Sequence, residues 1–288
     1  MGKIIAIVNQ KGGVGKTTSC INLAASMALL KQKTLLIDLD PQANATTGSL
    51  FQKEATTANI AQVLLGETPV EESLIETPAH YTLIPGSGDL TQTEIQLLQK
   101  EQREYTLKNI LAPLIASYDY ILLDCPPSLN ILTVNALVAA DAVIIPVQCE
   151  YFALEGLSNL MNTLQSIRAT VNPALQIHGI LRTLFDSRNS LAKQVAEELF
   201  THFKDKLYTT TIPRNIRLAE APSHGQPALL YDPHSSGSQA YISLAKEILV
   251  RDGQDASAFV ESAPLATPNT LLKKRSKHEK SPSVEQVV

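Results

Sequence analysis

Apolar residues along this chain gather in short, nearly unbroken runs at 4–8, 34–37, 81–84, 120–123, 142–147 and 177–184, each rich in Ile, Val and Leu. Between most of these runs the apolar positions fall at helical spacing instead. Helices are predicted from Thr17 to Leu30, from Thr91 to Ser117 with a break near Pro113, and from Leu154 to Val171. Two more are predicted, Leu191 to Phe203 and Gln239 to Val250, where Ala240, Leu244 and Ile248 share one face. A strand with one wet face alternates apolar with polar residues, whereas a strand covered on both faces has no reason to. Unbroken apolar strands alternating with helices therefore predict an α/β fold, a doubly wound and mostly parallel sheet with helices on both faces. Sheets of this kind bind ligands beyond the carboxyl ends of their strands.

The pattern changes after Val250, where Ala, Ser, Pro and Thr predominate and a basic cluster follows, Lys273, Lys274, Arg275 and Lys277. Residues 1–251 are expected to form the folded domain and 252–288 a disordered, partly basic tail. At 288 residues and 44% hydrophobic content the chain can bury a substantial core. Its net charge of −4 gives no global basic footprint, so contact with nucleic acid requires a local patch. Cys20, Cys125 and Cys149 are odd in number and have no C-x-x-C spacing, which argues against a disulfide framework or a zinc cluster. No apolar stretch reaches the length of a signal core or a membrane span, and a cytoplasmic protein is expected.

Candidate chemistry collects at three strand ends. The first apolar run leads into QKGGVGKTT at residues 10–18, a strand feeding a glycine-rich turn and then a helix. Backbone N–H groups of Gly12, Gly13, Val14 and Gly15 are suited to an anion-binding concavity, because glycine reaches positive φ without strain. Lys16 is placed for the β and γ phosphates of a nucleotide, Thr17 for Mg²⁺, and Thr18 supplies a second hydroxyl. The general phosphate-loop pattern has Gly where this chain has Gln10, and Lys11 is an extra cation with no local duty. The second strand ends in DLDPQAN. One of the two aspartates is expected to face the γ-phosphate. Asp40 is the better candidate for positioning an attacking water, with Asp38 supporting Mg²⁺ through water. The run YDYILLDCPPSL closes on Asp124, placed as a Walker B aspartate that reaches Mg²⁺ through a water while Thr17 binds it directly.

Taken with IPVQCEYFALEGL at 145–157 and IPRNIRLAEAPSHGQPALLYDP at 212–233, these motifs resemble the ParA/Soj family of partition ATPases, which carry a deviant Walker A loop. The resemblance spans nearly all of residues 1–250. It implies a P-loop NTPase fold, ATP and Mg²⁺ as cofactors, and an ATP-sandwich homodimer in which Lys11 crosses to the partner's phosphates. Lys11, Lys16 and Asp40 would then serve catalysis, Gly12 would lie where two subunits pack, and Pro213 and Asn215 would contact adenine. The resemblance further implies a ParB-like centromere-binding partner and non-specific DNA binding in the ATP state, with Arg188 and Arg217 in the matching segments. Arg182, inside an apolar strand, is expected either at an exposed strand end or as a further DNA contact. A MinD-like membrane ATPase is the alternative, and the polar sequence after Leu272 disfavours it. A reductase relative would need cluster cysteines where this chain has none, and no operator-reading domain is expected ahead of a loop that begins at residue 10.

Overall fold

A computed structural model describes residues 2–50 and 58–255. Among these residues there are eight strands, β1 (Lys3–Ile7), β2 (Thr34–Asp38), β3 (Ile75–Glu76), β4 (Thr82–Ile84), β5 (Tyr120–Asp124), β6 (Ala142–Gln148), β7 (Gln176–Phe185) and β8 (Leu207–Pro213). The helices are α1 (Lys16–Leu29), α2 (Asn44–Thr47), α3 (Ile60–Leu65), α4 (Leu90–Leu97), α5 (Thr106–Leu111) and α6 (Ile131–Ala139). They continue with α7 (Ala153–Thr170), α8 (Ser190–Phe203), α9 (Ile216–Glu220), α10 (Ala228–Tyr231) and α11 (Ser236–Arg251). The strand order is β3-β4-β2-β5-β1-β6-β7-β8, and every pairing is parallel except the short β3 with β4.

Alternation along each strand divides the core in two. Ile4, Ala6, Leu35, Ile37, Ile121 and Leu123 point into the layer under α3 to α8, while Ile5, Ile7, Leu36, Tyr120 and Leu122 point into the layer under α1 and α11. Both faces are buried, which is why these strands read as continuous apolar runs. β1 lies between β5 and β6, so the chain order reverses beside it and leaves a crevice at its carboxyl end. The phosphate-loop candidate occupies that position.

The predicted helix from Thr91 to Ser117 is in fact divided. α4 stops at Leu97, and Gln102 takes a left-handed φ of 49° that no α-helix continues through. A 3₁₀ turn at Arg103–Tyr105 and the separate α5 follow, so the chain breaks well before Pro113. At the amino ends of the strands, Asp252 accepts hydrogen bonds from Lys3 Nζ at 2.5 Å and Tyr120 Oη at 2.8 Å, and contacts His178 Nε2 at 3.1 Å. Asp252 is thus the C-cap of α11 and is fastened to β1, whereas the sequence alone assigns it to the tail. The basic cluster expected in that tail lies outside the described residues.

Candidate nucleotide-binding site

The loop from Val8 to Gly15 joins β1 to α1. Gly13 at φ 73° and Gly15 at φ 85° both hold the left-handed conformation, which a side chain would strain. Alternating backbone of this sort turns successive N–H groups to one side, the geometry of an anion nest at a helix N-terminus. Gly12 is different. It has no positive φ, and a Cβ built on it meets nothing within 4 Å, so nothing inside this chain demands glycine there.

The two lysines part company. Lys16, buried at 7% exposure, directs its Nζ back across the loop to the Lys11 carbonyl at 3.3 Å, and burial lowers its pKa against the opposing pull of Asp124 and Asp40. Lys11 turns outward and donates to Glu150 Oε2 at 2.6 Å, with both side chains nearly half exposed. Asn9 fastens the loop, accepting from the Lys11 N–H at 2.9 Å and donating to the Pro146 carbonyl at 2.7 Å.

Three carboxylates stand beyond the sheet. Asp38 and Asp124 are register partners on β2 and β5, and neither is exposed. Asp38 is committed: its Oδ2 accepts from the Thr46 N–H at 2.8 Å and hydroxyl at 2.7 Å, and its Oδ1 from the Asp40 N–H at 3.2 Å. Asp40, 8% exposed, accepts from the Gln42 N–H at 2.9 Å with Oδ1. Asp124 takes the Cys20 thiol on Oδ1 at 3.3 Å, and its Oδ2 has no hydrogen-bond partner. Burial raises the pKa of both Asp38 and Asp124, and the charge of Asp38 raises that of Asp124 further. A buried carboxylate oxygen without a hydrogen-bond partner, on a group that interacts with Lys16 and Thr17 at the start of α1, fits a hydrated divalent cation that would repay its desolvation. Thr17, the first-turn hydroxyl nearest Asp124, and Asp124 would hold it.

The remaining candidates sit along the same rim or just off it. Pro213 ends β8, and Asn215 caps the turn after it, accepting from the Arg217 N–H at 2.9 Å while its Nδ2 donates to Ser236 Oγ at 2.9 Å. Arg188 and Arg217 both lie at the surface and are both already paired. Arg188 grips Asp186 with Nε at 3.0 Å and Nη2 at 2.8 Å, and Arg217 binds Glu220 at 2.8 Å and Asp232 at 3.2 Å. Arg182 is half-buried within β7: its Nη2 donates to the Tyr208 and Thr209 carbonyls, and its guanidinium stands over Phe185. Sequence reasoning missed Thr183 on β7, whose hydroxyl donates to the Val14 carbonyl of the loop at 2.7 Å. A threonine in an apolar strand carries no signal beyond strand propensity.

Cys125 and Cys149 are buried, and no cluster of His, Cys, Asp or Glu suited to a metal occurs among the described residues. Among these residues no helix is long and apolar enough to cross a membrane. A family model described as an AAA domain matches residues 2–177. The chain is 49% identical over 253 residues to the chromosome partitioning protein ParA of Myxococcus xanthus, covering 88% of this chain and 89% of that one. It is 49% identical over 249 residues to the sporulation initiation inhibitor protein Soj of Bacillus subtilis, covering 86% and 98% of the two chains. Among solved structures, cobyrinic acid a,c-diamide synthase from Mycobacterium smegmatis with a bound ATP analogue and magnesium superposes with a TM-score of 0.76. That match has 32% identity and covers 88% of this chain and 98% of the other.

Proposed function

The chain belongs to the ParA/Soj family of partitioning ATPases, and on that premise we propose that it is an ATP-driven switch for chromosome or plasmid partitioning. In this reading residues 1–251 form the ATPase domain. ATP promotes a homodimer that binds DNA without sequence preference, and a ParB-like partner stimulates hydrolysis that resets it. The observation that carries the reading is the separation of the two lysines, with Lys16 over the loop and Lys11 turned out of it beside an open Gly12. A cation that serves no phosphate of its own chain is available to a second copy, and glycine at 12 leaves room for that copy to approach.

Bound ATP supplies the γ-phosphoryl group, and Mg²⁺ supplies charge that offsets it. The chain's own residues do the rest. Backbone N–H groups of Gly12 to Gly15 and the hydroxyls of Thr17 and Thr18 orient the phosphates, and Lys16 neutralises them. Thr17 directly and Asp124 through a water would hold the cation, and Asp38 fixes the turn that carries Asp40. Asp40 orients the attacking water. Pro213 and Asn215 border the adenine. Lys11 from the second copy stabilises charge developing on the phosphates, a role that for an arginine finger is worth about 10³ to 10⁵ in rate. Arg188 and Arg217 take DNA phosphates, each leaving its present carboxylate.

The test is co-sedimentation with DNA in ATP, in ADP and without nucleotide. Asp40→Ala is expected to slow hydrolysis and keep ATP-dependent dimerisation and DNA retention. DNA binding by the unaltered protein that ignores the nucleotide overturns the reading, as does loss of ATP binding in the Asp40 variant.

A further inference from the structure

The phosphate loop is usually considered as a strand, a turn and a helix, yet here a residue from a fourth element holds it. Thr183 is 2% exposed and lies on β7, two strands from β1 in the sheet. Its hydroxyl donates to the Val14 carbonyl at 2.7 Å, and its Cβ and methyl stand 3.8 Å from the place of a Cβ on Gly15. In a trans peptide the carbonyl and the following N–H point in opposite directions. Anchoring the Val14 carbonyl on β7 therefore turns the Gly15 N–H to the far side of the loop, away from the sheet's β7 flank. Among the described residues the Gly15 N–H donates to no protein acceptor, although the Gly15 carbonyl accepts from the Ser19 N–H at 2.9 Å and so starts α1. The peptide is held in place by one of its ends, and the donor at its other end is left for a ligand.

The backbone around Thr183 is also unusual. Leu184, the next residue, has a left-handed φ of 50°, and the register of β7 against β8 shifts between Arg182 and Phe185. A bulky residue in that conformation is strained, and strain of this kind persists where surrounding structure requires a particular placement. Here it falls immediately after Thr183, the last β7 residue paired with β6, and before β7 resumes its pairing with β8 at Phe185.

We propose that Thr183 is a positioning residue of the phosphate site, its hydroxyl holding the Val14–Gly15 peptide so that the Gly15 N–H faces a phosphate oxygen of the bound nucleotide. The inference rests on the reading that this loop binds ATP, and adds to it a residue outside the loop. The hydroxyl touches the loop and not the ligand, so its contribution appears as affinity for phosphate. One neutral hydrogen bond that orients a donor changes binding by about two- to tenfold.

The test measures ATP affinity in the presence of Mg²⁺ by titration calorimetry on the full chain, for the unaltered protein, Thr183→Val and Thr183→Ser. Valine keeps the branched shape and loses the hydroxyl, while serine keeps the hydroxyl and loses the methyl. Thr183→Val is expected to bind ATP about two- to tenfold more weakly, and Thr183→Ser to return within twofold of the unaltered protein. Thr183→Ala serves in place of valine if that variant does not fold, as judged by thermal melting without nucleotide. ATP affinity unchanged on loss of the hydroxyl overturns the inference, as does a serine variant as weak as valine. Failure of the unaltered protein to bind ATP overturns instead the nucleotide reading on which it rests.

Discussion

Replacing Glu150 with Gln tests how firmly this chain keeps Lys11 to itself. The Lys11 ammonium and the Glu150 carboxylate are 2.6 Å apart, but the two side chains are 42% and 47% exposed. An ion pair that open to water contributes about 0.2–1 kcal/mol, because solvent screens the charges and both long side chains lose rotamer freedom. Converted at room temperature, that range restrains Lys11 by a factor of about 1.4 to 5. If Lys11 must leave Glu150 to reach a second copy, each dimer releases two such pairs, one from each copy, and Glu150→Gln tightens the ATP-dependent dimer by about two- to thirtyfold. Sedimentation equilibrium with a slowly hydrolysed ATP analogue reads this directly. The difference should shrink as salt rises through about 0.15 M, where the screening length is about 8 Å. A weaker dimer in the variant would refute the reasoning, since it would mean that Glu150 itself acts across the interface. A gain well beyond about thirtyfold would refute it too, by showing a restraint stronger than two exposed pairs can exert.

Asp252 offers a pH-dependent test at the other end of the sheet, where hydrogen bonds from His178, Lys3 and Tyr120 outweigh burial and hold its carboxyl down to about 2. A carboxyl depressed in the folded state stabilises above its unfolded pKa of about 4 and loses that contribution as pH falls towards 2. Asp252→Asn should therefore cost about 1–2 kcal/mol at pH 7, after allowance for solvent screening, and the urea curves of the two proteins should draw together below about pH 4 and converge only near about pH 2. Gly179→Ala would place a Cβ 2.5 Å from Tyr208 Cζ in a packed interior, and a loss of about 2 kcal/mol is expected in chemical denaturation. For DNA, Arg188→Ala and Arg217→Ala should each lower the slope of log affinity against log salt by less than the ~0.9 of a free phosphate contact, because each guanidinium already has a carboxylate partner.

Much of this fold is written in the sequence because its strands are buried on both faces. Runs such as Ile4 to Val8 are short, rich in Ile and Val and closed by a glycine-rich turn, which marks them as buried strands, and the left-handed turns of the loop need glycine at 13 and 15. The misses follow from the same physics. β8 reads LYTTTIP because it is an edge strand whose Thr209 and Thr210 N–H groups are satisfied by Glu247 instead of another strand, so its polar residues hide it. α6 is apolar on nearly every side and cannot be told from a buried strand by spacing. Asp38 and Asp40 look equivalent in DLDPQAN. Only the folded chain separates them, through the Thr46 contacts that bind Asp38 from a turn eight residues on. Thr183 was illegible for a related reason, since its partner lies 169 residues away.

The placement of β1 has a consequence for how the protein is made. β1 is made well before either of its neighbours: these are β5, beginning at Tyr120, and β6, beginning at Ala142, and its Lys3 is tied to Asp252 across 249 residues. At translation rates of about 5–20 residues per second, an apolar segment waits on the order of ten seconds for either neighbour to be synthesised. Contacts this distant in sequence form slowly even once the chain is free. During synthesis, then, the nucleotide loop hangs from a strand with no sheet to join until β5 and β6 have been made, and its tie to Thr183 comes later still.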